Sequence, residues 1–203
     1  AEFVPVESEH SAMSTCVGSS AAGARTFTST SSQGYALMSE ICYIAASLRL
    51  PIVMVTANRA LSAPISIWND HADLMMARDT GWIQTVAENG QEVVDLIIHA
   101  FRVAEDHRVL LPVMVNLDGY VNTHTYELVT IPAQSEVDEF LPPFKSKNAI
   151  DFEAPRSFCI SASTEWNMEF RYQQHEAMNR AVGVIAEVDK RFGDKFGRYY
   201  GGL

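Results

Sequence analysis

The sequence predicts an α/β fold: a mostly parallel sheet with helices on both faces, followed by a C-terminal linker helix. Three observations carry this. Residues 51–57 (PIVMVTA) and 110–117 (LLPVMVNL) are apolar at almost every position, the signature of strands buried on both faces of a parallel sheet. Strand-like runs alternate with helix-like stretches long enough for βαβ crossovers. Composition supplies the core: 47% of 203 residues are apolar, enough for little more than one domain at ~150 residues each. With charge at only 20% and ten Phe and seven Tyr to bury, disorder is excluded as the overall state.

The elements follow in order along the chain. Residues 3–6 read as a short strand. Residues 10–24, rich in Ala, Ser and Gly, suit a helix lying close on a sheet, with Ser8 as N-cap and with close packing as the reason for Gly18 and Gly23. Residues 25–31 alternate around Phe27 and read as a strand; Ser31, Ser32, Gln33 and Gly34 form a polar turn before a helix over 35–48. The buried strand 51–57 runs into an irregular loop over 58–70 and a short helix near 72–78. A strand at 83–87, a helix at 91–105 and the buried strand 110–117 complete the alternation, and 126–131 is a further strand candidate. Periodicity fades over 139–155, where Pro and Lys content rises, marking a linker. Residues 166–192 form one helix, in which Met178, Ala181, Ile185, Val188 and Phe192 make an apolar stripe. That stripe docks on its own domain or makes a subunit contact.

Several chemistries are excluded by pattern. The net charge of −10 argues against nucleic acid, and no apolar run approaches the ~18 residues of a membrane span. Neither GxGxxG, GxxxxGK[ST] nor GxSxG occurs, so no dinucleotide fingerprint, P-loop or nucleophile elbow is encoded. Cys16, Cys42 and Cys159 are odd in number and far apart, without the CxxC spacing of zinc or cluster sites, and a reducing cytoplasm suits them. His71 with Asp70 and Asp73 has ligand-type side chains, although loop surfaces often carry such groups. Two positions remain. Glu9 follows a strand end at the start of a small-residue helix, where a carboxylate complements the helix dipole or works at the ligand-binding end of an open sheet. Arg59, just past the buried strand in the uncharged loop NRALSAP, has no acidic neighbour in sequence and is free to clamp an anion.

The runs VESEHSAMSTCVGSSAAGARTFTSTSSQGYALMSE, RLPIVMVTANRALSAPISIWNDHADLMMARDTGWIQTVAENGQE and LLPVMVNLDGYVNTHTYE, with DEFLPP and the tail MEFRYQQHEAMNRA…RFGDKFGRYYGGL, closely resemble the alpha subunits of the multi-subunit pyruvate synthase (pyruvate:ferredoxin oxidoreductase) family. The resemblance covers essentially the whole chain. It implies a domain of the type that binds the pyrimidine half of thiamine diphosphate over residues 1–138, and a linker with amphipathic helix over 139–203. The family has a segment before VPVESEH, with a substrate-contacting threonine, and a second α/β domain after the tail, so the resemblance implies truncation at both ends. It carries the cofactor glutamate onto Glu9 in SEHSA and the substrate-contacting arginine onto Arg59 in ANRALSAP. Diphosphate, Mg²⁺ and 4Fe–4S clusters are then expected on partner subunits, in keeping with the lack of a GDG…N motif here. The implied reaction is oxidative decarboxylation of pyruvate with coenzyme A, or the reverse synthesis, with beta, gamma and delta subunits and ferredoxin as partners. The alternatives are the same chemistry on 2-oxoglutarate or a branched 2-oxoacid, or a non-catalytic assembly subunit.

Overall fold

A computed structural model describes residues 2–158 and 161–201; Cys159 lies outside them. Four strands, β1 (Phe27–Thr30), β2 (Val53–Asn58), β3 (Ile83–Ala87) and β4 (Val113–Asp118), form one sheet in the order β1-β2-β4-β3. Every pairing is parallel, with Val53 of β2 opposite both Phe27 and Val113. Successive side chains leave a strand on opposite faces, which accounts for the unbroken apolar runs. Val53, Val113 and Val115 enter one core, and Ile52, Met54 and Met114 enter the other.

The second of these cores is closed by α1 (Glu9–Ala21) and α2 (Gln33–Ser47). Ser8 caps α1 by accepting the Ser11 amide at 3.3 Å. The helix stops at Gly23, whose φ of +93° supplies the left-handed residue. The Gly23 and Ala24 amides there close onto the Ser20 and Ser19 carbonyls, a Schellman stop. Close packing therefore explains neither glycine: Gly23 ends the helix, and Gly18 has open space where a side chain would go. A short helix α3 (Ala72–Met76) with a following 3₁₀ turn precedes β3.

The first core is closed by α4 (Gly90–Ala104) and a 33-residue helix (Thr164–Phe196). Between them lie α5 (Val121–His124) and α6 (Gln134–Phe140), so the long helix is α7. Its stripe docks on its own sheet rather than awaiting a partner. Ala177, Ala181, Val184, Val188 and Phe192 are its buried hydrophobic positions, with Met178 and Ile185 half-buried on the flank. Phe140 and Leu141 join the same core. Gly197, at φ +73°, ends α7.

Two expected strands are absent among the described residues. Residues 3–6 are coil; Pro5 lacks an N–H for a ladder, and Phe3 stands almost wholly in solvent. Residues 126–131 are coil as well. There the Thr130 amide and carbonyl are both taken by the Gln91 side chain, at 2.7 and 3.0 Å, in place of a strand partner.

Candidate functional site

Ligands in open α/β sheets bind beyond the carboxyl ends of the strands, and both candidates from the sequence lie there. Beyond β1 and β2 a cleft of about 480 Å³ is lined by Glu9, Thr30, Gln33, Gly34, Ala57 and Arg59 among others. Residues 50 positions apart in sequence, Glu9 and Arg59, thus share one wall system.

Glu9 is the first residue of α1, set there by the Ser8 cap. Its carboxyl lies beside Gly34 near the start of α2: a Cβ on Gly34 would stand 2.9 Å from Glu9 Oε1 and 2.6 Å from Thr30 Oγ1. Contacts that short force something to move, so glycine is what lets the two helix starts meet around this carboxyl. Thr30 Oγ1 is buried and without a hydrogen-bond partner, an orphan aimed into the same space. Glu9 itself is exposed in this chain. Its neighbours among the described residues do not enclose it in an apolar, water-poor pocket.

Arg59 is half-buried, its Nε is buried without a hydrogen-bond partner, and it makes no ion pair among the described residues. A guanidinium presented in this way is a ready anion clamp. Its backbone is fixed, because the Arg59 amide donates to Asp73 Oδ2 at 3.1 Å. The same atom accepts the amide of Ser32, between the lining residues Ser31 and Gln33, at 2.9 Å. Ser32 Oγ also reaches the Ala60 carbonyl at 2.5 Å.

Sequence reasoning missed Asp73 as part of this arrangement and grouped it with Asp70 and His71. The structure separates them. Asp70 accepts the Ala72 amide at 2.6 Å in a local turn, while Asp73 is fully buried and turned inward. No group of three or more His, Cys, Asp or Glu side chains suited to a metal occurs among the described residues. Thr30 and Gly34 were also missed. The only sequence signal for them was a glycine placed in the first turn of a helix, directly after a strand.

Comparison with known proteins gives the family. The family described as pyruvate flavodoxin/ferredoxin oxidoreductase, thiamine-diphosphate-binding, matches residues 1–190. The pyruvate synthase subunit PorA of Pyrococcus furiosus is 58% identical over 201 residues, 98% of this chain and 51% of that one. The PorA of Methanothermobacter thermautotrophicus is 53% identical over 99% of this chain and 52% of its own. A ketoisovalerate oxidoreductase subunit VorA of Pyrococcus abyssi is 50% identical over 98% of this chain and 50% of its own. This chain therefore spans about half the length of the curated relatives it matches. Among solved structures, a 2-oxoglutarate:ferredoxin oxidoreductase from Magnetococcus marinus superimposes with a TM-score of 0.66 over 90% of this chain and 37% of that one. At 19% identity that likeness speaks for the fold alone. The matched family model and the PorA relatives together place the chain in the pyruvate flavodoxin/ferredoxin oxidoreductase family, as its thiamine-diphosphate-binding domain.

Proposed function

We propose that this chain supplies half of the active site of a cytoplasmic 2-oxoacid:ferredoxin oxidoreductase acting on pyruvate, with Glu9 for the cofactor's pyrimidine and Arg59 for the substrate's carboxylate. The observation that carries this reading is the shared cleft, in which a carboxyl and an unpaired guanidinium stand at the ends of adjacent parallel strands. The residues present fit the pyrimidine half. Gly34 leaves room beside Glu9 Oε1, and the buried Thr30 hydroxyl has hydrogen-bonding capacity to spare. They do not fit the diphosphate and its Mg²⁺, which need a dedicated charged site, and that half falls to a partner subunit. Gamma and delta subunits with 4Fe–4S clusters, ferredoxin and coenzyme A complete the proposed reaction.

Thiamine diphosphate, when bound, supplies the nucleophilic carbon and the electron sink for decarboxylation. Glu9 holds a proton at pyrimidine N1′, favouring the tautomer in which the exocyclic nitrogen is basic. Its side chain is exposed in this chain, so a partner that covers the open side of the cleft would complete its surroundings. Arg59 binds and orients the substrate carboxylate. That charge is lost as CO2 leaves, so the arginine serves binding more than the bond-breaking step.

An ammonium cannot reproduce a bidentate guanidinium grip. Losing one hydrogen bond to a charged group costs about 1.5–3 kcal/mol, so Arg59→Lys in the assembled enzyme raises the KM for pyruvate roughly tenfold or more. Steady-state kinetics decide this, and an unchanged KM removes Arg59 from the role. Identity to a ketoisovalerate oxidoreductase subunit at 50%, against 58% for the pyruvate synthase subunit, keeps branched 2-oxoacids as the second reading. The ratio of kcat/KM for the two substrates separates them.

A further inference from the structure

We propose that Asp73 is the positioning residue for Arg59: one buried carboxylate fixes two stretches of the cleft lining and so sets the grip on the substrate's carboxylate. The proposal rests on the reading of Arg59 given above. Asp73 has no exposed surface and no ion pair among the described residues, an expensive state for a carboxylate unless hydrogen bonds compensate it. Four N–H groups do so. Oδ2 accepts the amides of Ser32 at 2.9 Å and Arg59 at 3.1 Å, and Oδ1 accepts Asn58 Nδ2 at 2.9 Å and the Leu74 amide at 2.8 Å.

The network continues inward. Asn58 Nδ2 also donates to Asn116 Oδ1 at 3.1 Å, and Asn116 Nδ2 donates to the Thr85 carbonyl at 3.1 Å. Asp73 is thereby tied to β2, β4 and β3, three strands with little freedom to shift. Its Oδ2 then holds Ser32, which lies between the lining residues Ser31 and Gln33, and Arg59, which lines the cleft itself. Ser32 needs such holding: at φ +50° and ψ −116° it is in a region that non-glycine residues rarely adopt, a conformation kept only where its surroundings over-determine it. Holding a strained turn and the backbone of an unpaired arginine on one oxygen fixes the distance between them. Scaffolding alone would not require that.

The test is Asp73→Asn in the assembled enzyme, with pyruvate as substrate. An amide presents a donor where two of the four N–H groups need an acceptor, so the two stretches separate. A misplacement of ~1 Å in a binding group costs about tenfold or more, and the KM for pyruvate should rise by that much with a smaller change in kcat. Removing a negative charge near Arg59 works the other way, so a fall in KM would show that Asp73 acts only as a charge and overturn the proposal. Combined with Arg59→Lys, the substitution should add less than about twofold to KM, since coupled residues are non-additive; full multiplication of the two effects also overturns it. If Arg59→Lys alone leaves KM unchanged, it is the reading of Arg59 that has failed. A measurement needing no variant guards against misfolding. In the unsubstituted enzyme the Ser32 and Arg59 amides should exchange hydrogen as slowly as amides of β2, and rapid exchange at both contradicts the anchoring.

Discussion

Gly34 and Glu9 divide one small volume, and that gives the site its most sensitive single position. Alanine in place of glycine near a helix start favours the helix by up to about 1 kcal/mol, yet here its methyl would lie 2.9 Å from Glu9 Oε1 and 2.6 Å from Thr30 Oγ1. Gly34→Ala should therefore bring no gain in melting temperature, leaving it unchanged or lowered, while reducing the thiamine diphosphate retained by the purified enzyme severalfold. Parallel thermal melts and cofactor assay would show this, and undiminished cofactor content contradicts the proposed fit. At this scale the place of Arg59 at the cleft was legible because it follows the end of β2; Glu9 reaches the cleft from the start of α1, set there by its Ser8 cap and not by the expected strand, since residues 3–6 are coil. Asp73 was not legible. An acid beside His71 and Asp70 in an irregular stretch carries no sign of its burial, which comes from strands contributed by residues 53–58 and 113–118. Gly34 was read as a turn residue because its neighbour across the cleft, Glu9, belongs to another helix.

Helices α4 and α7 pack through a titratable group. His99 of α4 lies with its ring 4.3 Å from that of Phe192 of α7 and 6.0 Å from that of Tyr200, and its Nε2 is buried without a partner. Desolvation lowers its pKa to about 4, against the opposing pull of Asp189 and Asp95. The unfolded chain binds this proton near pH 6.5 and the folded chain only near pH 4. Stability is therefore fully present above pH 6.5 and is lost as pH falls through that window, by about 3 kcal/mol at most. Denaturant unfolding at pH 7 and pH 5 should show a loss of about 2 kcal/mol from this group that His99→Phe abolishes; an equal loss in the variant would place the acid sensitivity elsewhere. Nearby, buried Asp95 takes Arg198 Nε at 2.6 Å and the Tyr200 hydroxyl at 2.5 Å, fastening the segment after α7 to α4. Periodicity found both helices because their apolar stripes face a core. The stripe on α7 is centred one position away from the predicted one at Ala177 and Val184, since neither had been counted. Alternation alone misread residues 3–6 and 126–131, because a pattern of side chains does not reveal whether the backbone has a ladder to join.

The sheet is covered by helices on both faces, and the proposed site lies at one end of it. Parallel topology and both helical layers were legible because strands buried on two faces and amphipathic helices leave periodic traces. What covers the cleft was not, since an interface depends on chains other than this one. Large apolar side chains stand exposed in connections that leave the carboxyl ends of β2 and β4, among them Ile65, Ile67, Trp68, Tyr126 and Leu128. Apolar surface gathered beside a half-built site suits a partner that brings the diphosphate and covers the cleft. No helix among the described residues is long and apolar enough to cross a membrane, so this surface is not that of a spanning helix. In the proposed assembly the exposed Glu9 becomes desolvated and shares its proton with the pyrimidine. The most direct measurement is the exchange rate of the cofactor's C2 proton, followed by NMR in the assembled enzyme carrying Glu9→Gln. A slowing of at least ~100-fold, the scale of acid–base contributions, is the predicted result, and a rate equal to that of the unsubstituted enzyme would contradict the assignment of Glu9 and with it the proposed site.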